Sequence, residues 1–294
     1  MIGDPTRGLT RSRVPDGRTW SGAARRVLGV TAVLLTACAT ALNYTDPAGP
    51  RYGGGAASVA READTLKVVA FNVEYALHVD RAVAELRKNG ALRDADIVLV
   101  QEMDESGAHA FADSLGFGYV YFPATLHPVT KRDFGNAILS RYPIENARKI
   151  ILPFLARFRR TQRAAVGATI VVGERRIRVY SVHIATFIGN GPRARRAQLA
   201  AVLADADSFP IVVLGGDFNS GTVPEIALRR GFSWPTRHLG RTESFWSMDH
   251  ILLKGLSLAR GLATGLVRDN YGASDHKPVW ARIVIPARDT LGVR

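Results

Sequence analysis

Apolar runs of strand length recur through most of the chain, and they constrain its fold more than any other feature. They span residues 66–71, 97–100, 137–139, 164–172, 177–184, 210–214, 248–253 and 278–285. Helix-like segments alternate with some of them, over residues 81–88, 193–204 and 225–230. Strands and helices mixed in this way predict an α/β or α+β domain whose sheets pack in layers.

Length and charge set broad limits on the function. With 294 residues and 47% hydrophobic content, the chain can bury the core of one large domain or two small ones. The formal net charge of +13 favours anionic partners such as phosphates, nucleic acid or an acidic membrane surface. Most of the basic residues are Arg, however, a bias that a G+C-rich genome can produce without selection for a partner. A single cysteine, Cys38, excludes an intrachain disulfide.

The N-terminus has the plan of a targeting segment. Arg25 and Arg26 precede an uncharged apolar run over residues 27–42, which is short for a membrane span and typical of a secretory signal. The sequence "LTAC", which ends at Cys38, resembles the lipobox of bacterial lipoproteins, whose cysteine is lipidated. We therefore expect an exported protein that is anchored to a membrane through Cys38. An uncleaved signal anchor, an ordinary cleaved signal and a buried helix remain alternatives.

The domain layout follows from these features. Residues 1–37 are predicted to be the targeting segment, and residues 38–65, rich in Gly and Pro and without apolar periodicity, a flexible tether. Residues 66–287 form the predicted globular domain, and residues 288–294 a tail.

Polar residues follow the apolar runs at six places where a strand is predicted to end. They are Asn72, Glu102, His183, the pair Asp217 and Asn219, Asp249, and the pair Asp275 and His276. Carboxylates and amides without sulfur suit a hard cation such as Mg²⁺ or Mn²⁺. Such an ion stabilises charge on a phosphoryl oxygen, and two histidines can move protons on either side of the phosphorus. Together these residues indicate phosphoester hydrolysis.

Each motif also has a structural interpretation. Asp217 and Asn219, in "GGDFNS", favour an Asx turn as readily as a site, and Asp275 with His276 favours a polar turn. Taken alone, Glu102 and His183 are typical of a solvated acid and a structural histidine. The arginines of "ARFRRTQR", residues 156–163, are typical of a solvated loop, with phosphate binding as the alternative.

Seven motifs in order carry a family resemblance. "FNV", "QE", "GNAILSR", "SVH", "GDFNS", "MDHILL" and "SDHKPV" together resemble the endonuclease/exonuclease/phosphatase superfamily, which includes DNase I, neutral sphingomyelinases and inositol polyphosphate 5-phosphatases. The resemblance covers residues 66–285. It implies a four-layer αββα sandwich of two mixed sheets, with the active site at one end.

The resemblance also implies roles for the site residues. Glu102 is similar to the main metal ligand, with Asn72 and Asp275 near the ion. Asp217 would orient or deprotonate the attacking water, and Asn219 would hold a phosphate oxygen. These implied roles extend to the histidines and their partner: His276, paired with Asp249, would act as a base or a charged clamp, and His183 as a general acid.

One part of the family pattern is missing. In DNase I a glutamate orients the acid histidine, and the corresponding segment here, residues 119–136, contains no Glu; Asp133 is a candidate substitute.

Taken together, the motifs and the resemblance predict a monomeric, Mg²⁺- or Mn²⁺-dependent phosphodiester or phosphomonoester hydrolase outside the cytoplasm. Its substrate is a phospholipid head group, nucleic acid or another phosphate ester. A non-catalytic, membrane-anchored binding module on the same scaffold is the alternative.

Overall fold

Two mixed β-sheets form the centre of the molecule. The computed structural model describes residues 41–55 and 62–286. The strands of these residues are β1 (Leu42–Asn43), β2 (Tyr52–Gly54), β3 (Thr65–Asn72), β4 (Ile97–Met103), β5 (Gly118–Leu126), β6 (Asp133–Ser140), β7 (Ile144–Ile151), β8 (Ala164–Val172), β9 (Arg175–His183), β10 (Val212–Asp217), β11 (Asp249–Lys254), β12 (Ser257–Leu258), β13 (Thr264–Leu266) and β14 (Val279–Val284).

The strand order makes both sheets mixed. The first sheet has the order β1-β5-β6-β4-β3-β14-β12, with β2 also paired to β5 and β13 to β14. The second has the order β11-β10-β9-β8-β7. Each sheet contains one parallel pair, β3 with β4 and β9 with β10, and its other pairs are antiparallel. The parallel pairs matter because they carry four of the eight predicted site residues.

Helices cover the outer faces of the sheets. They are α1 (Val79–Lys88), α2 (Glu105–Leu115), α3 (Pro192–Ala206) and the single turn α4 (Glu225–Leu228). α2 begins at Asp104, whose side chain accepts a hydrogen bond from the Gly107 backbone N–H, and ends at Gly116 in the left-handed conformation. The sequence predicted α1, α3 and α4, with ends that differ by up to two residues, and missed α2.

Three apolar clusters define four layers. Val68, Leu99, Val166 and Val213 belong to the cluster between the sheets. Side chains of α1 and α2 pack on the other face of the first sheet, and side chains of α3 pack on the other face of the second. Side chains alternate between the two faces along each strand, and both faces of each sheet are covered. The strands are therefore apolar throughout rather than on one side. The predicted αββα sandwich is confirmed.

The predicted tether is wrong over residues 41–55. β1 and β2 both pair with β5, and the buried side chain of Lys149 donates hydrogen bonds to the carbonyls of Tyr44 and Gly49. Pro47, Gly49 and Pro50 lie between β1 and β2, whereas Gly53 and Gly54 lie in β2 itself. Outside the described residues lie the targeting segment, residues 38–40 and 56–61 of the predicted tether, and the whole predicted tail. No helix among the described residues has the length and apolar character needed to cross a bilayer.

Candidate active site

The carboxyl ends of the parallel strands meet at one end of the sandwich. β3 ends at Asn72, and Glu102 lies near the end of its neighbour β4. β9 ends at His183 in register with Asp217, the last residue of β10, and Asp249 begins β11 opposite Asp217. This is the end at which open α/β sheets bind ligands. The fold thus gathers five predicted residues that are far apart in the sequence.

An irregularity in β4 turns Glu102 toward the site. The register between β4 and β6 shifts between Val100 and Met103, and Glu102 has a φ of 59°, in the left-handed region. Bulges of this kind redirect side chains beside active sites, and a non-glycine residue adopts such a φ only where the surroundings hold it. The Glu102 Oε2 atom accepts a hydrogen bond from the Tyr75 backbone N–H at 3.0 Å.

Asn72 links the two sheets at the site. Its Nδ2 atom lies 3.3 Å from Oε1 of Glu102 and 3.1 Å from Oδ2 of Asp217. Ser274 donates through Oγ to the Asn72 carbonyl at 2.7 Å and accepts from the His276 backbone N–H at 3.0 Å. One buried amide therefore holds both carboxylates, and its backbone positions the segment that carries His276.

The sequence "GGDFNS" forms an Asx turn and also contributes to the site. Oδ1 of Asp217 accepts from the Asn219 backbone N–H at 2.7 Å, and Asn219 has a φ of 47°. The Asn219 Nδ2 atom donates to Oδ2 of Asp217 and to the Ile184 carbonyl, each at 3.0 Å. Both amide hydrogens of Asn219 are thus directed at protein oxygens. In this arrangement Asn219 orients Asp217, and it would hold a phosphate oxygen only by giving up one of these bonds.

His183 contacts an arginine where an acid was expected. Its Nδ1 atom lies 2.9 Å from Nη1 of Arg163, while Nε2 lies 3.3 Å from Oδ2 of Asp217. The candidate partner Asp133 instead accepts a hydrogen bond from the Tyr44 hydroxyl at 2.8 Å. Because a guanidinium has only donors, Nδ1 of His183 must accept, and its hydrogen lies on Nε2, facing Asp217. Burial lowers the pKa of His183 well below its usual value, and the positive charge of Arg163 adds to this effect.

Arg163 is the site residue that the sequence did not single out. It belongs to the arginine cluster at residues 156–163, whose exposed members Arg157, Arg159 and Arg160 fit the solvated-loop interpretation. Arg163 stacks on the ring of Phe134 at 5.0 Å, and its buried Nε atom has no hydrogen-bond partner among the described residues. Its position directly before β8 was the available signal, because Asn72, His183, Asp217 and Asp249 also lie at strand ends.

Asp249 and His276 form a buried pair beside Asp217. Nδ1 of His276 lies 2.8 Å from Oδ2 of Asp249, and its Nε2 lies 3.9 Å from Oδ2 of Asp217. Burial alone lowers the pKa of His276, but the two carboxylates outweigh it and raise the pKa well above its usual value. Burial raises the pKa of Asp217 to about 7, although His276 opposes the rise. His276 is therefore positively charged at the site, with Asp249 as its counter-ion.

The donor set fits a divalent cation. Ligand atoms of Asp217, Asp249 and His276 lie within 4.8 Å of one another, and Oδ1 of Asp249 is buried without a hydrogen-bond partner among the described residues. Burial also raises the pKa of Glu102, although Arg163, His276 and its two hydrogen bonds oppose the rise. His276 is already held by Asp249. The groups that suit a hard ion are therefore the carboxylate oxygens, and above all those of Glu102.

Asp275 lies at the edge of this arrangement. Its side chain is exposed and accepts a hydrogen bond from Ser274 Oγ at 3.4 Å. Its backbone N–H donates to Oε2 of Glu74 at 3.1 Å, so a second carboxylate lies beside it. The structure brings Asn72 and Glu102 into contact, whereas the part that Asp275 plays in binding a metal stays a prediction.

A cleft next to Asn219 offers room for a substrate. It has a volume of about 290 Å³ and is lined mainly by Phe187, Arg195, Trp246 and residues 219–222. Arg195 donates through Nη1 to the Asn219 carbonyl at 2.8 Å, which joins the cleft to the site. A larger cavity, of about 500 Å³, lies between α1 and Tyr271 and contains none of the predicted site residues.

Comparisons with known proteins agree with this geometry. The sequence model described as "Endonuclease/Exonuclease/phosphatase family" matches residues 69–276. No curated protein matches the chain.

Three solved structures illustrate the likeness in fold. Humanized TDP2 of D. rerio is 16% identical with a TM-score of 0.59, over 76% of this chain and 100% of that one. The human Nocturnin catalytic domain with bound sulfate is 18% identical with a TM-score of 0.58, over 80% of this chain and 98% of that one. A mannosyl-6-phosphatase of Bacteroides thetaiotaomicron is 16% identical with a TM-score of 0.57, over 75% of this chain and 100% of that one. At these identities the likeness establishes the fold alone.

Proposed function

Because the chain belongs to the endonuclease/exonuclease/phosphatase family, we propose that it is a divalent-metal-dependent phosphoesterase, with Mg²⁺ or Mn²⁺ as its ion. Members of the family are hydrolases, including phosphatases and nucleases, and generally use a divalent metal. The observation that carries the proposal is the convergence of the two buried carboxylates of Asp217 and Asp249, the partly buried Glu102 and two histidines on one end of the sandwich. A catalytically inactive scaffold would have no need to bury these charges together, since each is costly to desolvate.

Asp217 is the residue best placed to act on water. Its Oδ2 atom faces Nε2 of His183 and Nε2 of His276 and accepts from Asn72, so it lies at the centre of the site. A pKa of about 7 suits a group that takes a proton near neutral pH. We assign to Asp217 the orientation and deprotonation of the attacking water.

The two histidines differ in charge and therefore in role. His183 is neutral and presents a hydrogen on Nε2, so it donates a hydrogen bond to a phosphate oxygen or to the leaving group. His276 is positively charged and stabilises the negative charge of the phosphoryl group, while Asp249 holds its ring in place.

Glu102 would hold the metal, with Asn72 and Asp275 beside it. The bound ion would supply charge stabilisation at a phosphoryl oxygen.

We also propose that the protein is exported and anchored to a membrane through lipidation of Cys38. The proposal is supported by the apolar run that precedes Cys38 and by the lipobox-like "LTAC". The expected result is that Cys38→Ala abolishes metabolic labelling with palmitate. Persistent labelling would show that the attachment site is elsewhere, and absence of labelling in the native chain would favour a signal anchor or a secreted protein.

The decisive experiment is a hydrolysis assay on the purified full chain. Bis(p-nitrophenyl) phosphate, p-nitrophenyl phosphate, plasmid DNA and phospholipid vesicles are each tested with Mg²⁺, with Mn²⁺ and with EDTA. We expect metal-dependent turnover that falls by at least about 100-fold in Asp217→Asn and in His276→Gln, since each removes a group that moves a proton or stabilises charge.

The matched control is Asp113→Asn, an isosteric change of an exposed carboxylate on α2. Circular dichroism establishes that each variant is folded. Full turnover in Asp217→Asn would overturn the proposed roles, and absence of metal-dependent hydrolysis of every substrate would support the alternative of a non-catalytic binding module.

A further inference from the structure

Large apolar side chains are exposed on three loops around the site. Phe154 and Phe158 lie on the loop between β7 and β8, Phe187 and Ile188 on the loop after β9, and Phe245 and Trp246 on the loop before β11. Their exposed fractions range from 56% for Phe154 to 76% for Phe245. Single exposed apolar residues are ordinary, but a contiguous group marks a surface that contacts another molecule. We call residues 153–160, 186–190 and 241–246 the collar.

The three loops form one continuous surface. The Arg157 backbone N–H donates to the Gly189 carbonyl at 2.9 Å, which joins the first loop to the second. Gln198 of α3 reinforces this junction, because its Nε2 donates to the Phe154 carbonyl at 3.2 Å. The rings of Phe187 and Trp246 are 6.4 Å apart, which joins the second loop to the third. The three loops are therefore neighbours in space.

The collar borders the opening of the active site. The first loop leads to Arg163, which contacts His183, and the second loop directly follows His183. The third loop leads into Asp249, and Phe187 with Trp246 lines the cleft beside Asn219. A surface bound to the collar would therefore lie against the entrance to the site.

The charge of the collar is strongly positive. Its first loop contains the exposed residues Arg157, Arg159 and Arg160, and its third loop contains exposed Arg241. Glu243 is the only acidic residue of the collar. Exposed aromatic and aliphatic side chains mixed with arginine are the composition that binds the interface of an anionic bilayer.

The chain enters the described domain at the collar. The backbone N–H of Ala41, the first described residue, donates to the Arg159 carbonyl at 3.2 Å, and Nδ2 of Asn43 donates to the Arg160 carbonyl at 2.8 Å. Between them, Leu42 is 60% exposed. Cys38 lies three residues before Ala41, so an anchor there could not hold the collar far from a membrane, because three residues span at most about 11 Å.

From these observations we infer that the collar docks on an anionic phospholipid surface and presents the active site to a phosphate ester in that surface. The choice of substrate source rests on the proposed phosphoesterase function, whereas the docking itself does not. Position, apolar exposure, charge and the point of chain entry all place the bilayer on the same side of the molecule. Single-stranded nucleic acid also binds surfaces of aromatic residues and arginine, and it is the competing outcome of the test.

The test measures contact between the collar and the bilayer directly. The full chain is mixed with vesicles of phosphatidylglycerol and phosphatidylcholine in equal parts that carry brominated acyl chains, which quench tryptophan fluorescence on contact. Four tryptophans are present, so the difference between the native chain and Trp246→Phe isolates Trp246. We expect quenching of Trp246 in these vesicles, and at least about threefold less in vesicles of phosphatidylcholine alone.

Variants distinguish membrane contact made by the collar from attachment through the N-terminal segment. Phe158→Ser combined with Phe245→Ser is expected to reduce the quenching of Trp246 at least about threefold, even if an anchor keeps the chain on the vesicle. Leu262→Ser is the matched control and is expected to have no effect. Leu262 is exposed between β12 and β13, and the next residue, Ala263, accepts a hydrogen bond from Arg282, which pairs with Lys67 near the start of β3, away from the site.

Absence of Trp246 quenching, or equal quenching in neutral vesicles, would overturn the inference. So would perturbation of Trp246 by oligothymidylate but not by anionic vesicles. Hydrolysis of bis(p-nitrophenyl) phosphate is measured in parallel. Quenching without hydrolysis would refute the proposed function but support the docking surface. Hydrolysis without quenching would support the proposed function but refute the docking surface.

Discussion

Gly216→Ala tests how closely β9 and β10 approach each other beside the site. Gly216 has a φ of 140°, and a Cβ atom at this position would lie 2.1 Å from the Val182 carbonyl oxygen of β9. Backbone cannot retreat from such a clash without separating the strands that hold His183 and Asp217. Overpacking costs about 1–3 kcal/mol and a strained φ about the same, so we expect a loss of about 2–6 kcal/mol.

The control isolates the clash from the backbone strain. Gly231 also has a positive φ, of 79°, but no atom lies within 4 Å of a Cβ built there. Gly231→Ala is therefore expected to cost only the conformational strain, about 1–3 kcal/mol. Urea unfolding followed by circular dichroism measures the free energy of unfolding of both variants. Equal losses would refute the close approach, and we expect Gly216→Ala alone to lose phosphoesterase turnover as well.

Three further predictions concern buried charges and hydrogen bonds. Asp205→Ala removes the carboxylate that pairs with the fully buried Arg178 at 3.4 Å, so we expect about 3–5 kcal/mol less stability by urea unfolding; a loss below 1 kcal/mol would contradict this. Burial lowers the pKa of His127 to about 4, so stability is present above pH 6.5 and falls as the pH drops from 6.5 to 4. His127→Gln should flatten this part of the profile, and an unchanged profile would disprove the assignment. Asp249→Asn should lower turnover at pH 7 by about 10²–10⁴-fold, because His276 loses the carboxylate that holds its ring and its charge; unchanged turnover would refute the pairing.

The sequence predicted the parts of the fold that depend on local patterns. Strand-length apolar runs found most of the long strands, and the polar residues at their ends converge in space as expected. β5 and β7 were missed because Tyr and Pro interrupt the first and charged residues the second, so neither forms an apolar run. Tertiary pairing rather than local composition makes these segments strands.

The partner of His183 could not be predicted from the sequence. The family pattern pointed to an acid upstream, and Asp133 was the candidate, but the Tyr44 hydroxyl occupies that carboxylate. Tyr44 belongs to the segment predicted to be a tether, so its position depends on edge strands that had no sequence signal. Arg163 reaches His183 because β8 starts beside β9, which is a matter of register between strands.

The arginine changes how the charges of the site balance. Glu102, Asp217 and Asp249 are three carboxylates, and His276 and Arg163 are two positive charges close to them. A glutamate in place of Arg163 would add a fourth negative charge and would favour a protonated His183, whereas the arginine keeps His183 neutral with its hydrogen on Nε2. A divalent cation would leave this site with a net charge of about +1, which matches a phosphodiester better than the doubly charged phosphate of a monoester. We therefore expect bis(p-nitrophenyl) phosphate to be hydrolysed in preference to p-nitrophenyl phosphate. Arg163→Gln should increase this preference, because the loss of a positive charge disfavours the doubly charged substrate more.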